Sequence, residues 1–422
     1  MVYKEIKNEK LNESYYVINH KSGLTIYVYP KEGYSSTYAI FGTNYGSVNT
    51  QFSINGKETQ SVPDGIAHYL EHKLFENEDG DAFAKYAETG ASANAYTSFE
   101  KTCYLFSCTS NFKKSLEILL GFVQEPYFTA ETVAKEQGII GQEIKMYDDS
   151  PEWRVMFNLL ECLYHNHPVK IDIAGTVESI AEITAEKLHE CYNSFYNLHN
   201  MVLCICGNTT PQEVEKIADE QLKTAEKVEI KNFFPEEPRG IVKDYVEQKF
   251  PVAVPLFHIG YKEDVKDNRA TTKELALTDI LLFALASNSS NLYNELLEKD
   301  LINSSFGFEY LEGPKYRATL FSGESRNPKE VANIIKNHII KIREKGFTDE
   351  EVLIAKKAVY GSSVSALNSN SSIANIITEF HFTNRELFEY LNEIEIATVQ
   401  DINKRFNEQF SPESCALSVV QE

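Results

Sequence analysis

Two histidines and a glutamate lie close together in the segment His68–Tyr69–Leu70–Glu71–His72. Residues four apart share one face of a helix, so the imidazoles of His68 and His72 could grip one metal ion. Zinc takes neutral imidazole and carboxylate ligands, usually three from the protein at a catalytic site, and leaves one position for water. Glu71 lies on the same face and is placed to polarise that water rather than to bind the ion. The segment therefore predicts a catalytic zinc site.

A third ligand should be a carboxylate from another part of the chain. The predicted helix 132–147 offers Glu136 and Glu143, which are seven residues apart and therefore share one face. They flank an apolar stripe that begins at Val133, and burying bare carboxylates without a cation or another partner is very costly. Chance matches to His-x-x-Glu-His occur, but this pair of glutamates favours a metal site. The pattern alone does not decide whether Glu136 or Glu143 is the third ligand.

These side chains need elements that hold them in place. Pro63, Asp64 and Gly65 predict a turn, and Asp64 could cap the helix that carries His68 and His72. β-Branched and aromatic residues predict strands at 24–29 and 36–41. A helix at 81–89 should end at Gly90, followed by one long alternating strand at 93–108. Further helices are predicted at 112–124, 132–147, 153–164 and 185–196.

The second half of the chain repeats the order of elements of the first half. Its predicted helices at 291–299 and 349–367 and its strands at 316–322 and 416–420 have counterparts there, but it has no His-x-x-Glu-His and no similar pair of glutamates. We therefore predict an α+β fold with two similar domains in tandem, each an antiparallel-rich sheet packed with helices. The predicted parts are a metal-binding domain at 1–222, a polar linker at 223–247 and a domain without metal at 248–422.

Composition narrows the classes of partner. The 422 residues carry a net charge of −21, which argues against nucleic acid and against an anionic membrane surface. This charge is compatible with a basic peptide substrate, although it also suits an ordinary self-repelling surface. The seven cysteines form no Cys-x-x-Cys, the N-terminal residues show no apolar signal region, and the apolar stretch 280–286 is too short to span a bilayer. We expect a cytoplasmic protein.

Four segments together resemble the insulinase-type (M16, inverzincin) metallopeptidases. They are residues 65–72, 90–97, 136–144 and 175–180, and the resemblance covers most of residues 20–210. The second half is similar only in its general pattern. Residues 68–76 and 138–151 also resemble a bacterial subgroup that has been associated with aminopentanol modification of elongation factor P.

The resemblance implies a zinc ion bound by His68, His72 and Glu143. It assigns Glu71 as the general base and Glu136 as a supporting acid that orients His72 or tunes the metal. The implied chemistry is hydrolysis of a peptide bond by metal-activated water, and the implied fold is a half-shell like that of mitochondrial processing peptidase.

The resemblance also implies that Asn94, Ala95 and Tyr96 form an exposed edge strand. A substrate peptide could add to this edge as an extra strand, with main-chain hydrogen bonds supplying affinity. An ordinary sheet edge is the alternative.

One departure from the family concerns the donors that stabilise the oxyanion. Active members use an Arg-x6-Tyr pair from a C-terminal domain, but no arginine here is followed seven positions later by tyrosine; Arg317, for example, is followed by Glu324. We therefore expect a paralogous partner chain that supplies both residues, or a homodimer in which Arg317 or another donor acts. The expected function is a zinc endopeptidase. The alternatives are a non-catalytic scaffold or binding subunit and a dedicated maturase of a ribosomally made peptide precursor.

Overall fold

The computed structural model describes residues 3–78, 80–265 and 269–422. In these residues the strands are β1 Lys4–Asn8, β2 Glu13–Asn19, β3 Thr25–Pro30, β4 Thr37–Thr43, β5 Gln51–Ile54, β6 Gln60–Ser61, β7 Glu76–Asn77, β8 Gly80–Asp81, β9 Ser92–Thr97, β10 Thr102–Cys108, β11 Met201–Gly207, β12 Ile230–Asn232, β13 Tyr245–Lys249, β14 Leu256–Lys262, β15 Gly307–Gly313, β16 Tyr316–Glu324 and β17 Cys415–Gln421.

The helices of the described residues are α1 Ile66–Leu74, α2 Ala82–Thr89, α3 Phe112–Val123, α4 Ala130–Asp148, α5 Pro151–Leu163, α6 Val177–Ile180, α7 Ala185–Phe195, α8 Pro211–Gln221, α9 Thr272–Ala286, α10 Asn291–Glu298, α11 Pro328–Lys345, α12 Asp349–Ala366, α13 Asn370–Phe382, α14 Leu387–Ile396 and α15 Val399–Gln409. Short 3-10 helices lie at Pro168–Lys170, Leu198–Asn200 and Pro412–Ser414.

The chain forms two compact units. Unit 1 consists of Met1–Ile144, Asp172–Phe233 and Ser365–Phe388, and unit 2 consists of Lys145–Ile171, Phe234–Val364 and Glu389–Glu422. The units are therefore not contiguous in sequence, unlike the predicted division into 1–222, 223–247 and 248–422. Each half of the chain contributes one segment to the unit that the other half builds.

Each unit contains one main sheet. The sheet of unit 1 has the order β1-β2-β3-β11-β4-β10-β9, and that of unit 2 has the order β13-β17-β14-β16-β15. In both sheets one pair is parallel, β11 with β3 and β17 with β13, and the other pairs are antiparallel. The five strands of unit 2 thus match the last five strands of the unit 1 sheet in order and direction. The predicted α+β fold with two similar units is confirmed.

A helix packs closely on the centre of each main sheet. Helix α13 lies on β4 and β11 in unit 1, and α5 lies on β14 and β17 in unit 2. A Cβ atom at Gly42 of β4 would lie 3.1 Å from Phe382, and one at Gly260 of β14 would lie 2.8 Å from Leu163. Glycine at these two positions gives the helices room to approach the sheets. Because α5 and α13 come from opposite halves of the chain, this packing explains the non-contiguous units.

Two local predictions were wrong. The segment predicted as one strand at 93–108 is a hairpin of β9 and β10, in which the Ser98 N–H donates to the Lys101 carbonyl over 2.8 Å. Asp64 does not cap α1, since Gly65 occupies the N-cap position in the left-handed conformation with φ of 87° and no side chain caps the helix. Instead the Asp64 carbonyl accepts a hydrogen bond from the Ser179 hydroxyl at 2.9 Å.

Among the described residues, the segment Thr272–Glu298 could cross a membrane by its length and composition. It contains α9 and α10, and 61% of its apolar window is buried inside the protein. A buried core helix passes the same test, so this segment is weak evidence for a membrane span.

Candidate metal centre

Two neighbouring helices of unit 1 carry the residues that the sequence singled out. His68, Glu71 and His72 lie on α1, whose opposite side is buried through Ile66, Leu70 and Leu74. Glu136 and Glu143 lie on α4. The hydroxyl of Tyr69 donates to the Val133 carbonyl and so ties α1 directly to α4. The ligand-bearing faces of both helices are thereby held against each other.

His68, His72 and Glu143 converge on one point, and we call these three residues the metal-binding group. His68 Nε2 lies 3.7 Å from Glu143 Oε1, and His72 Nε2 lies 3.3 Å from Glu143 Oε2. One ligand atom from each residue lies within 4.8 Å of the others. Two imidazoles and one carboxylate are a donor set of catalytic zinc sites. The residues present therefore fit a zinc ion.

Glu136 contacts the other nitrogen of one of these histidines. Its Oε1 lies 3.0 Å from His72 Nδ1, so Nδ1 is directed at Glu136 while Nε2 faces Glu143. A carboxylate behind a ligating imidazole fixes the ring orientation and the tautomer. The structure thus places Glu143, not Glu136, beside both histidines.

The charges around His72 favour a cation. Burial alone would lower the pKa of His72, but its hydrogen bonds with Glu136 and Glu143 raise that pKa to about 10. Burial and the neighbouring His72 lower the pKa of His68 to about 4. The hydrogen bond from His72 also lowers the pKa of Glu136. The carboxylates therefore stabilise positive charge at this point, which is what a bound divalent ion supplies.

Glu71 lies next to the metal-binding group and is held by a residue that sequence reasoning missed. Its Oε2 accepts a hydrogen bond of 2.6 Å from the hydroxyl of Thr97, the last residue of β9. Burial raises the pKa of Glu71, and the Thr97 bond partly opposes this rise. A carboxylate of raised pKa, fixed in position, suits a general base. Thr97 is the last residue of the segment 90–97 that resembles the family, but nothing in the sequence indicated that it contacts Glu71.

The residues predicted to bind substrate lie on β9, which is the edge strand of the unit 1 sheet. Asn94 and Ala95 line a cavity of about 560 Å³ together with Glu71 and His72. The Tyr96 hydroxyl donates to Asn375 Oδ1 of α13 over 3.1 Å. The side chain of Tyr96 is therefore engaged by the core, and it can contribute only its backbone to the edge.

Arg317, the alternative oxyanion donor, lies in unit 2 and is only 8% exposed. Its guanidinium lies 3.4 Å from Glu263 Oε1, and the same carboxylate accepts two hydrogen bonds of 2.7 Å from Arg405. Both arginines thus belong to a buried ion network. Arg317 is not placed to reach a substrate.

Comparison with known proteins matches both halves of the chain. Residues 57–177 match the family described as Insulinase (Peptidase family M16), and residues 182–359 match the family described as Peptidase M16 inactive domain. YmfH of Bacillus subtilis (strain 168), named an uncharacterized zinc protease, is 41% identical over 99% of each chain.

Solved structures share the fold. An M16-like protein from Alicyclobacillus acidocaldarius is 33% identical, with a TM-score of 0.93 over 100% of this chain and 99% of that chain. Pitrilysin is 15% identical, with a TM-score of 0.74 over 99% of this chain and 46% of the pitrilysin chain. This chain therefore corresponds in fold to about half of pitrilysin.

Proposed function

Because this chain belongs to the insulinase family of peptidases (M16), we propose that it is a zinc-dependent endopeptidase that hydrolyses peptides. The observation that carries the proposal is the convergence of His68, His72 and Glu143, with Glu71 held beside them by Thr97. A protein that served only as a scaffold would not need an oriented base next to a complete set of zinc ligands.

His68, His72 and Glu143 would hold the ion. When bound, zinc supplies a Lewis acid that polarises the scissile carbonyl and lowers the pKa of water. As the oxygen of the attacking water bonds to the carbonyl carbon, Glu71 accepts a proton from that water. The proton then passes from Glu71 to the leaving amine nitrogen. Glu136 keeps the imidazole of His72 in the required tautomer.

The edge strand β9 would orient the substrate. An extended peptide that pairs with the backbone of Asn94, Ala95 and Tyr96 extends the sheet by one strand. Ala95 and Glu71 line the same cavity, so a peptide at this edge lies within reach of the base. This arrangement favours an unfolded segment over a folded protein as substrate.

We further propose that the active enzyme contains two chains. The chain has no Arg-x6-Tyr pair, and Arg317 is buried against Glu263. A paralogous chain that supplies both donors would complete the site as a heterodimer, while a homodimer requires another donor.

Seven free, buried cysteines suit a protein that works in the reducing cytoplasm. A maturase of one ribosomal peptide precursor would use the same site, and an association with elongation factor P modification stays a prediction.

The proposal is tested with the Glu71→Gln variant. The amide cannot accept a proton, so we expect bound zinc to stay at the wild-type level while peptide hydrolysis falls by about 10²–10⁴-fold. Zinc is measured by elemental analysis and hydrolysis with a peptide library, with and without a candidate partner chain. Thr97→Val is the matched control, because it removes the hydrogen bond and keeps the carboxylate, and it should cost less. Normal cleavage by Glu71→Gln would assign the base elsewhere.

A further inference from the structure

Helix α13 contacts the hairpin of β9 and β10, which carries the edge strand that binds substrate in the proposed function. Successive side chains of a strand point to opposite faces of the sheet. Thr97 accordingly faces α1, where its hydroxyl binds Glu71, while its neighbour Tyr96 faces α13. One face of the hairpin therefore holds the base, and α13 holds the other face. All of these elements lie in unit 1.

The amide of Asn375 on α13 joins the hairpin to the centre of the sheet. Its Oδ1 accepts a hydrogen bond of 3.1 Å from the Tyr96 hydroxyl. Its Nδ2 donates to the Tyr38 hydroxyl of β4 at 3.3 Å and to the Ser371 carbonyl of its own helix at 2.8 Å. Both ends of the amide are engaged, so the side chain has one fixed orientation in which it holds Tyr96.

One helical turn further along α13, Glu379 holds the turn of the same hairpin. Residues four apart share one face of a helix, so Asn375 and Glu379 both point at the hairpin. The Glu379 carboxylate pairs with the ammonium group of Lys101, whose side chain is only 17% exposed. The Lys101 carbonyl in turn accepts the Ser98 N–H that closes the hairpin. A partly buried ion pair is screened by salt less than an exposed one, so this contact is more than a surface pair.

An edge strand needs such support because a sheet holds it from one side only. Among the strands of the described residues, β9 pairs with β10 alone. A peptide that adds to the other edge binds through backbone N–H and C=O groups, whose positions must match its own. A strand that is held in place before binding loses less conformational entropy when the peptide binds. The two contacts from α13 therefore favour tight binding of a peptide.

We propose that Asn375 and Glu379 are positioning residues, which fix β9 for main-chain pairing with an extended peptide. This inference rests on the proposed peptidase function and adds two residues from the second half of the chain to the same site. Both residues act through the hairpin, by way of Tyr96 and Lys101, and contact neither the peptide nor the metal. Their loss should therefore weaken peptide binding and leave zinc binding unchanged.

Peptide affinity is measured by fluorescence anisotropy on the zinc-loaded Glu71→Gln variant of the full chain, so that no turnover occurs. A fluorescein-labelled peptide is selected from a library by its binding to this parent variant, independently of cleavage. Adding Asn375→Leu or Glu379→Gln should weaken binding about three- to tenfold, the factor that a hydrogen bond or an ion pair typically contributes. Zinc affinity, measured by competition with a chelator, should stay at the level of the parent.

Asn370→Leu is the matched control. Asn370 lies at the other end of α13, and its Nδ2 donates to the Ser36 carbonyl at 2.8 Å. This variant should unfold at a lower temperature, as Asn375→Leu should, yet bind the peptide as tightly as the parent. The double variant Lys101→Glu with Glu379→Lys reverses the ion pair and should recover part of the affinity that Glu379→Lys alone loses.

Three results would overturn this role: unchanged peptide affinity in Asn375→Leu and Glu379→Gln, an equal loss in Asn370→Leu, or a parallel loss of zinc in the α13 variants. The absence of measurable peptide binding by the Glu71→Gln parent would overturn it as well. Failure of the peptidase proposal has a different signature, because a peptide that binds Glu71→Gln would then remain uncleaved by the zinc-loaded wild-type protein.

Discussion

At the scale of single residues, His72 has a double role, since one ring nitrogen faces Glu143 and the other contacts Glu136. We predict that His72→Ala loses zinc, because two remaining protein ligands hold the ion too weakly. The loss of zinc affinity should exceed the roughly 10–100-fold loss that follows substitution of a residue that contacts a ligand but not the metal. Zinc titration against a competing chelator measures it. His199→Ala removes an exposed imidazole elsewhere and is the control; near-stoichiometric zinc in His72→Ala would contradict the ligand assignment.

Glu136 and Glu143 differ in what they contact, although their spacing makes them look alike. Glu136→Gln keeps a hydrogen-bond acceptor for His72 and loses the charge, so we predict a fall of about 10–100-fold in zinc affinity or in activity. Glu143→Gln removes a ligand oxygen of full charge and should abolish tight zinc binding. Zinc titrations of the two variants under the same conditions show which glutamate is the ligand. If the two variants exchanged these effects, the ligand would be Glu136.

The sequence could bring these five residues together in one hypothesis because helical periodicity is a local property. His68, Glu71 and His72 share a face through their spacing alone, and so do Glu136 and Glu143. The choice between the two glutamates needed the family resemblance, and it now has a geometric basis in the distances to both histidines. Thr97 could not be predicted, since its contact with Glu71 joins residues 26 positions apart on different elements.

At the scale of elements, the start of α1 depends on a close backbone approach. Gly65 has φ of 87°, and a Cβ atom there would lie 2.3 Å from the Ala174 carbonyl oxygen. Gly65→Ala must therefore move α1 or the segment around Ala174, in addition to the cost of about 1–2 kcal/mol for a left-handed alanine. We predict a lower unfolding temperature together with weaker zinc binding, because α1 carries both histidines.

Gly33→Ala is the matched control for this prediction. Gly33 has φ of 83°, and a Cβ atom there would have no neighbour within 4 Å. This variant should lose only the stability that alanine in the left-handed conformation costs, and it should bind zinc normally. Calorimetry and zinc titration of both variants test the argument, and equal zinc affinity in the two would show that α1 tolerates the displacement.

Helices and strands could be predicted where the sequence pattern is local. The prediction failed where the structure depends on which distant element a segment packs against. The helix α5 was predicted from its apolar face, but such a face does not say which sheet it covers, and α13 was not predicted. The choice depends on the glycines at positions 42 and 260, whose role is visible only when Phe382 and Leu163 lie over them. The alternating residues at 93–108 likewise concealed the turn of the β9–β10 hairpin.

At the scale of the whole molecule, the two units share a sheet order but not the candidate metal site, which lies in unit 1. Both units have the same five-strand arrangement, yet the strand and helix framework of unit 2 carries no His-x-x-Glu-His. Unit 2 buries an ion network in which Glu263 binds Arg405 and Arg317. A charged network of this kind can specify one packing arrangement, and removing one partner leaves a costly unpaired charge. The two arginines are thereby unavailable for catalysis.

The last prediction follows from this missing chemistry. Each donor to an oxyanion is worth about 10²–10³-fold in turnover, and this chain offers neither an Arg-x6-Tyr pair nor an exposed Arg317. We therefore expect the isolated chain to hydrolyse peptides weakly. An equimolar paralogue that carries the arginine and the tyrosine should raise kcat by at least about 100-fold.

Steady-state hydrolysis of one peptide by the isolated chain, by the paralogue and by the mixture measures this effect. Two controls assign it. The mixture made with Glu71→Gln should stay inactive, which places the base on this chain, and the paralogue with its arginine and tyrosine replaced should give no stimulation. The proposed source of the missing donors is a paralogous second chain of similar length. Turnover at ordinary enzyme rates by the isolated chain, unchanged by any paralogue, would rule out the two-chain enzyme.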